Sequence, residues 1–141
     1  MKPTRTDQEA FDLLSCYTLA DRNPYFIHQL AVDAYAAQHA DDTTKPIYAA
    51  FALAGLCLHN GHGFSGKEVQ MAHIRLGRQK RDLPRFTLPP QRGDITVQHV
   101  LDTEPGPERD AAIERWSAAT WQAMPAVHRQ VEDWLRQAKE I

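Results

Sequence analysis

Lys45–Gly66 reads KPIYAAFALAGLCLHNGHGFSG, and the fold turns on how this stretch is read. Ile47–Leu58 is apolar on every side of a helical wheel, so a helix over 45–60 is expected to be buried on most of its surface. Pro46 suits its first turn, and Thr44 can cap it. Gly61 and Gly63 can adopt the left-handed backbone that closes a helix. The run is too short to cross a bilayer, which takes roughly 20 residues. The expectation is a central core helix that carries a His- and Gly-rich polar end.

Outward from this helix, the chain reads as helical throughout. Thr6 and Glu9 form a capping-box pattern ahead of Phe11, Leu14 and Leu19, predicting a helix over 7–19, with residues 1–6 flexible. Asn23 and Pro24 open a second, 24–40, with Ile27, Leu30, Ala31 and Ala34 along one side. Ser65 and Glu68 repeat the capping box and open a fourth over 66–80, with Val69, Ala72, His73 and Leu76 on one face. Residues 82–95 contain three prolines and no helical period, so they read as an extended strap held by Phe86 and Leu88. Thr96–Leu101 suits one helical turn or a short strand. Pro107 opens a long last helix, 107–139, which Pro125 kinks or splits. The fold expected is an all-α bundle of about five helices in a single domain.

The length of 141 residues fits one core. The net charge of −2 is unevenly spread. Residues 67–92 carry seven Lys/Arg against two Asp/Glu, while 1–66 carry four against seven and 93–141 five against nine. This basic island (Arg75, Arg78, Lys80, Arg81, Arg85, Arg92) reads as a solvated helix end. Nucleic acid is not the partner expected of an acidic chain with prolines through its basic stretch. Cys16 and Cys57 form no paired motif and suit a reducing cytoplasm as small buried hydrophobes. The N-terminus has no apolar stretch resembling a secretion signal. Trp116, Trp121 and Trp134 read as core. GHGFSG at 61–66 precedes a helix but lacks the Walker spacing, so it reads as a turn.

The chemistry-bearing candidates are histidines. His28, His59 and His73 come from three helices, each on or beside an inward face. Neutral imidazole binds zinc, iron and nickel well, and three such ligands leave a coordination position for water or substrate. Asp33 and Tyr35 are the candidate catalytic groups, Asp33 as general base or as the carboxylate that orients a ligating imidazole. His39 and His62 could assist. No HxxxH or HExxH pair is present, and the alternative is that backbone carbonyls satisfy these rings within the core. The two functional expectations are therefore a histidine-ligated metalloprotein with enzymatic activity, or a non-catalytic helical module. The second would bind a small molecule between helices or form a homodimer.

Four strings together resemble a known family. They are YTLADRNPYFIHQLAVDAYAAQHADDTTKPI, FALAGLCLHNGHGFSGKEVQMAHIRLG, LPRFTLPPQRGDITVQHVL and EPGPERDAAIERWSAATW. The chain resembles a bacterial family of small proteins catalogued only as a domain of unknown function. The resemblance implies that Tyr17, His28, Asp33, Tyr35, the TKP string, His59, His73, Trp116 and Trp121 belong to the family pattern. His62 departs from it, because the pattern has a Glu–Lys pair where this chain has Gly61–His62. The family implies no reaction.

Overall fold

The computed structural model describes residues 4–20, 27–79 and 82–141. The Asn23–Pro24 helix start and the cations Lys80 and Arg81 lie outside the described residues. Among the described residues seven helices follow in order: α1 (Asp7–Ala20), α2 (Ile27–His39), α3 (Pro46–His62), α4 (Gly66–Arg78), α5 (Val97–Leu101), α6 (Pro107–Gln122) and α7 (Pro125–Gln137). Every regular element among the described residues is helical.

The local signals act where they stand in the chain. At the start of α1, the Glu9 N–H donates to Thr6 Oγ1 at 3.1 Å and Glu9 Oε1 accepts from the Thr6 N–H at 3.3 Å. Ser65 and Glu68 close the same reciprocal pair at α4, at 3.2 and 3.0 Å. Each pair satisfies donors that a helix start would otherwise leave open. Gly63 ends α3 with φ 72°, and the Phe64 N–H reaches back to the Leu58 carbonyl at 3.0 Å. Gly61 stays inside the helix.

The split at Pro125 corrects the expectation of one long kinked helix, and together with the short α5 it takes the expected five helices to seven among the described residues. Pro125 has no N–H to give, and it pushes the residue before it out of the helical region. Met124 accordingly sits at φ −124°, ψ 49°, and the chain restarts as a separate helix, α7. Met124 is fully buried in the gap, so the break plugs the core.

Helix α3 is the centre. Ala50 and the whole run Ala52–Leu58 are buried, and α2, α4, α6 and α7 pack around it. Small side chains let α2 and α3 approach closely: Ala31, Ala34 and Ala37 on one, Ala52, Ala54 and Gly55 on the other. Trp116, Ile113, Val127, Val131 and Leu135 close the far side of the core.

Residues 82–96 cross this bundle without forming a helix, and Phe86 and Leu88 pack against the core. Gln38 anchors the segment. Its amide donates to the Arg92 and Ile95 carbonyls at 3.1 and 2.7 Å, and its oxygen accepts from Trp116 Nε1 at 2.9 Å. Among the described residues, no helix is long and apolar enough to cross a membrane.

Candidate functional site

The small residues at the α2–α3 crossing make room for a buried acid. Asp33 of α2 is 3% exposed, and its carboxyl lies against Gly55 of α3. A Cβ on Gly55 would stand 1.8 Å from Asp33 Oδ2, so only glycine fits. Asp33 Oδ1 accepts from Gln29 Nε2 at 3.1 Å. That same amide nitrogen lies 3.3 Å from His73 Nδ1, on α4. His73 Nε2 lies 2.8 Å from the Phe51 carbonyl of α3 and must donate to it, which leaves Nδ1 to accept from Gln29. The Phe51 ring stacks on the imidazole, with centroids 5.3 Å apart.

Asp33 Oδ2 is buried with no hydrogen-bond partner. Burial holds the Asp33 carboxyl well above the usual carboxylate range, against a smaller opposing effect of the Gln29 bond. Burial also pushes His73 down, opposed by its bond to Phe51. His73 Nε2 is 3.9 Å from Asp33 Oδ1, close enough for an ion pair by distance alone. Both shifts favour the neutral forms, and the bonds through Gln29, His73 and the Phe51 carbonyl tie α2, α4 and α3 together.

The other rings read from the sequence are held elsewhere. His28 Nδ1 pairs with Thr18 Oγ1 of α1 at 2.8 Å. His59 Nδ1 donates to the Phe64 carbonyl and Nε2 to Glu114 Oε2 of α6, both at 2.6 Å. Both ring nitrogens of His59 are engaged, and the contact with the Glu114 carboxylate favours the imidazolium form. The Glu114 carboxylate raises it above the usual histidine value, and burial opposes. Neither nitrogen is left for a metal. Tyr35 stacks between Phe11 and His39, at 4.2 and 4.0 Å, and its hydroxyl reaches Gln8 at 3.4 Å on the exposed side. The structure therefore brings Asp33 and His73 together, and it does not bring His28, His59 and His73 to one point.

A different set of donors does converge. Cys57 Sγ, a His62 ring nitrogen and a Glu132 carboxylate oxygen all lie within 4.8 Å of one another, and among the described residues this is the group of three or more such donors that does so. Cys57 is buried midway along α3, and His62 is the last residue of that helix, fixed by the left-handed Gly63 behind it. Glu132 comes from α7. His62 Nε2 and Glu132 Oε1 are 3.5 Å apart. Arg136, one turn further along α7, donates to Glu132 Oε2 at 3.0 Å and holds that carboxylate in place. The imidazole and carboxylate side chains are 28% and 32% exposed, so the cluster opens to solvent on one side.

Burial, helped by the Glu132 charge, pushes the Cys57 thiol up to about 12. A free Cys57 is therefore a neutral thiol near pH 7 and no nucleophile. Thiolate, imidazole and carboxylate are the donor types of zinc and neighbouring transition metals. From the sequence, Cys57 carries no ligand role and His62 only an assisting one. Cys57 reads as a small hydrophobe, and His62 departs from the family pattern. The Cys57–His62 spacing of five residues is the one local signal that could have flagged them. Nothing local ties Glu132 to either.

Two arginines of the basic island make structural contacts. Arg75 clasps Glu140 with bonds of 2.6–3.0 Å. Arg92 caps the end of α2, donating to the Ala37, Gln38 and Ala40 carbonyls, the last at 2.6 Å. Between that end, the start of α3 and the 85–88 segment lies a cavity of about 340 Å³ with Pro46, Phe86 and Leu88 on its apolar wall.

The fold and the donor cluster define a small all-helical protein with a candidate metal centre on its central helix. The chain belongs to the family of unknown function DUF5946, whose model matches residues 4–125. No curated protein and no solved structure matches it.

Proposed function

We propose that the protein is a small metalloprotein that holds one divalent transition metal on Cys57, His62 and Glu132, between α3 and α7. The observation that carries the reading is the convergence of three chemically different donors from two helices. Zinc is the first choice, because a mixed sulfur, nitrogen and oxygen set in a four-coordinate site suits it best. Iron and nickel follow. The ligands expected from the sequence, His28, His59 and His73, are replaced in this reading by a set that shares none of them.

Three protein ligands and a solvent-facing side leave one position for water, the arrangement of catalytic sites and not of closed structural ones. Bound there, the metal supplies a water acidified enough to act as a nucleophile near neutral pH, and the activity proposed is hydrolytic. Cys57 anchors the ion from the buried side, and Arg136 keeps Glu132 turned toward it.

The test is elemental analysis of gently purified, untagged protein, with melting followed before and after a chelator. One metal per chain is expected, lost in Cys57→Ser and His62→Ala and retained in His28→Ala and His73→Ala. A ligand at a hundred times its Kd stabilises by about 2.7 kcal/mol, which is roughly 8 °C for a domain of this size. A metal-free protein that melts identically with added zinc, iron or nickel overturns the proposal. So does a metal that survives both ligand substitutions.

A further inference from the structure

The cavity of about 340 Å³ between the end of α2, the start of α3 and residues 85–88 has no part in the metal reading. It lies beside Pro46, the first residue of α3, whereas His62 is the last. Ligand pockets run from roughly 300 to 1,000 Å³, so a space of this size suits a small molecule. The extended segment that walls it is pinned on both sides. Gln130 Nε2 of α7 donates to the Arg85 carbonyl at 3.1 Å. Gln38 of α2 holds the Arg92 and Ile95 carbonyls. Between these anchors Phe86 leans on Trp134, with ring centroids 6.2 Å apart.

The lining is sorted by depth. Ala40 is buried and Ala49, Phe86 and Leu88 are half-buried, so the floor is apolar. Asp41, Asp42, Arg85 and Thr87 are exposed and stand at the rim. Four charged residues line the cavity, two of each sign. Two of them are engaged by the fold. Asp41 Oδ1 accepts from the Thr43 N–H and from the Thr43 and Thr44 hydroxyls, at 2.7–3.3 Å. Arg92 donates to the Ala37, Gln38, Ala40 and Pro89 carbonyls. The other two are open. Among the described residues, no bond or ion pair reaches the Asp42 carboxylate or the Arg85 guanidinium.

We propose that this cavity binds a free α-amino acid with an aliphatic or aromatic side chain. The two unanswered charges have opposite signs, so a ligand that answers both carries one cation and one anion. The charged rim and apolar floor place both ligand charges at one end and an apolar body at the other. An apolar α-amino acid has that layout. Its ammonium faces Asp42, its carboxylate faces the Arg85 guanidinium, whose planar fork suits a carboxylate, and its side chain lies on Phe86 and Leu88. An apolar acid leaves Asp42 unanswered, and an apolar amine leaves Arg85 unanswered.

Isothermal titration calorimetry of the full chain with L-leucine and with L-phenylalanine tests this. One molecule per chain is expected, with a Kd of about 1 mM or tighter. Isocaproate lacks the ammonium of leucine, isopentylamine lacks its carboxylate, and glycine lacks its side chain. Each should bind at least about tenfold more weakly, because each gives up a charged contact or the apolar one. Asp42→Asn and Arg85→Gln, both at exposed positions, should each weaken leucine binding about tenfold. Circular dichroism checks that both variants fold. The absence of saturable heat with both amino acids would overturn the proposal. So would isocaproate or isopentylamine binding as tightly as leucine, or folded Asp42→Asn and Arg85→Gln variants that bind leucine like the wild type.

Discussion

Midway along α3, at Gly55, a carboxyl is sealed against the helix backbone with one oxygen unpartnered. Two turns on, at His62, an imidazole and a carboxylate stand open to solvent above a buried thiol. The same helix builds both places. In the first, the space is fixed by what a glycine lacks, and polar groups from α2, α3 and α4 satisfy one another as far as they can. In the second, His62 and Glu132 pair at 3.5 Å and stay partly open to solvent. Polar chemistry that locks helices together is closed and costly to disturb. Polar chemistry suited to a ligand is half-built and cheap to alter. Substitutions should separate the two regions on that basis.

The largest effect is expected at Gly55→Ala. Its Cβ would fall 1.8 Å from Asp33 Oδ2 and 2.5 Å from Cγ, in a crossing with no slack. Overpacking of this kind costs about 3 kcal/mol, measured as the shift of the urea midpoint. The same change made on Asp33→Ala should cost much less, because the clashing atoms are gone. A double-mutant cycle that shows the two changes to be additive would break the link between them.

His73→Ala comes next. It leaves the Phe51 carbonyl and the Gln29 amide short of partners in a half-buried site, at about 2 kcal/mol. His62→Ala should cost under about 0.5 kcal/mol in metal-free protein, since its pair with Glu132 is long and partly exposed. A cost at His62 equal to that at His73 would erase the contrast between the two regions.

A third test uses pH. Asp33 keeps its proton in the folded state to a higher pH than in the unfolded chain, because burial raises its value. Its contribution is complete below the unfolded carboxylate range, about 3.9, and is lost as pH rises toward the raised folded value. The slope there is at most about 1.4 kcal/mol per pH unit. Its titratable neighbour His73 acts in the opposite sense, since a lowered histidine loses stability as pH falls below about 6.5. The difference in unfolding free energy between wild type and Asp33→Asn, followed from pH 4 to 8, isolates the Asp33 part. Asp33→Asn should gain on the wild type as pH rises. A constant difference would mean that Asp33 titrates normally and that the junction is wetter than its geometry indicates.

The sequence carried the elements well. The Thr6–Glu9 and Ser65–Glu68 capping boxes, the apolar run Ile47–Leu58, Gly63 and Pro125 each act through atoms a few residues away, so each is legible in one dimension. The same locality explains the misjudged C-terminus. Pro125 marks an interruption, but whether a helix kinks or restarts depends on what fills the break, and that is Met124 seated in the core. The candidate site was far less legible. His28, His59 and His73 all lie near inward faces, yet the rotation of each helix turns them to Thr18, to Glu114 and to Phe51.

What the sequence determined by itself is the all-helical class, most of the helix starts and stops, and the choice of α3 as the buried centre, because hydrophobic period and capping are short-range. What only the tertiary structure decided is which polar groups meet. Asp33 finds Gly55 and His73, and Cys57 and His62 find Glu132, through helix crossings that bring distant segments within a few ångströms. Those crossings are set by packing of the whole core, which no local spacing encodes.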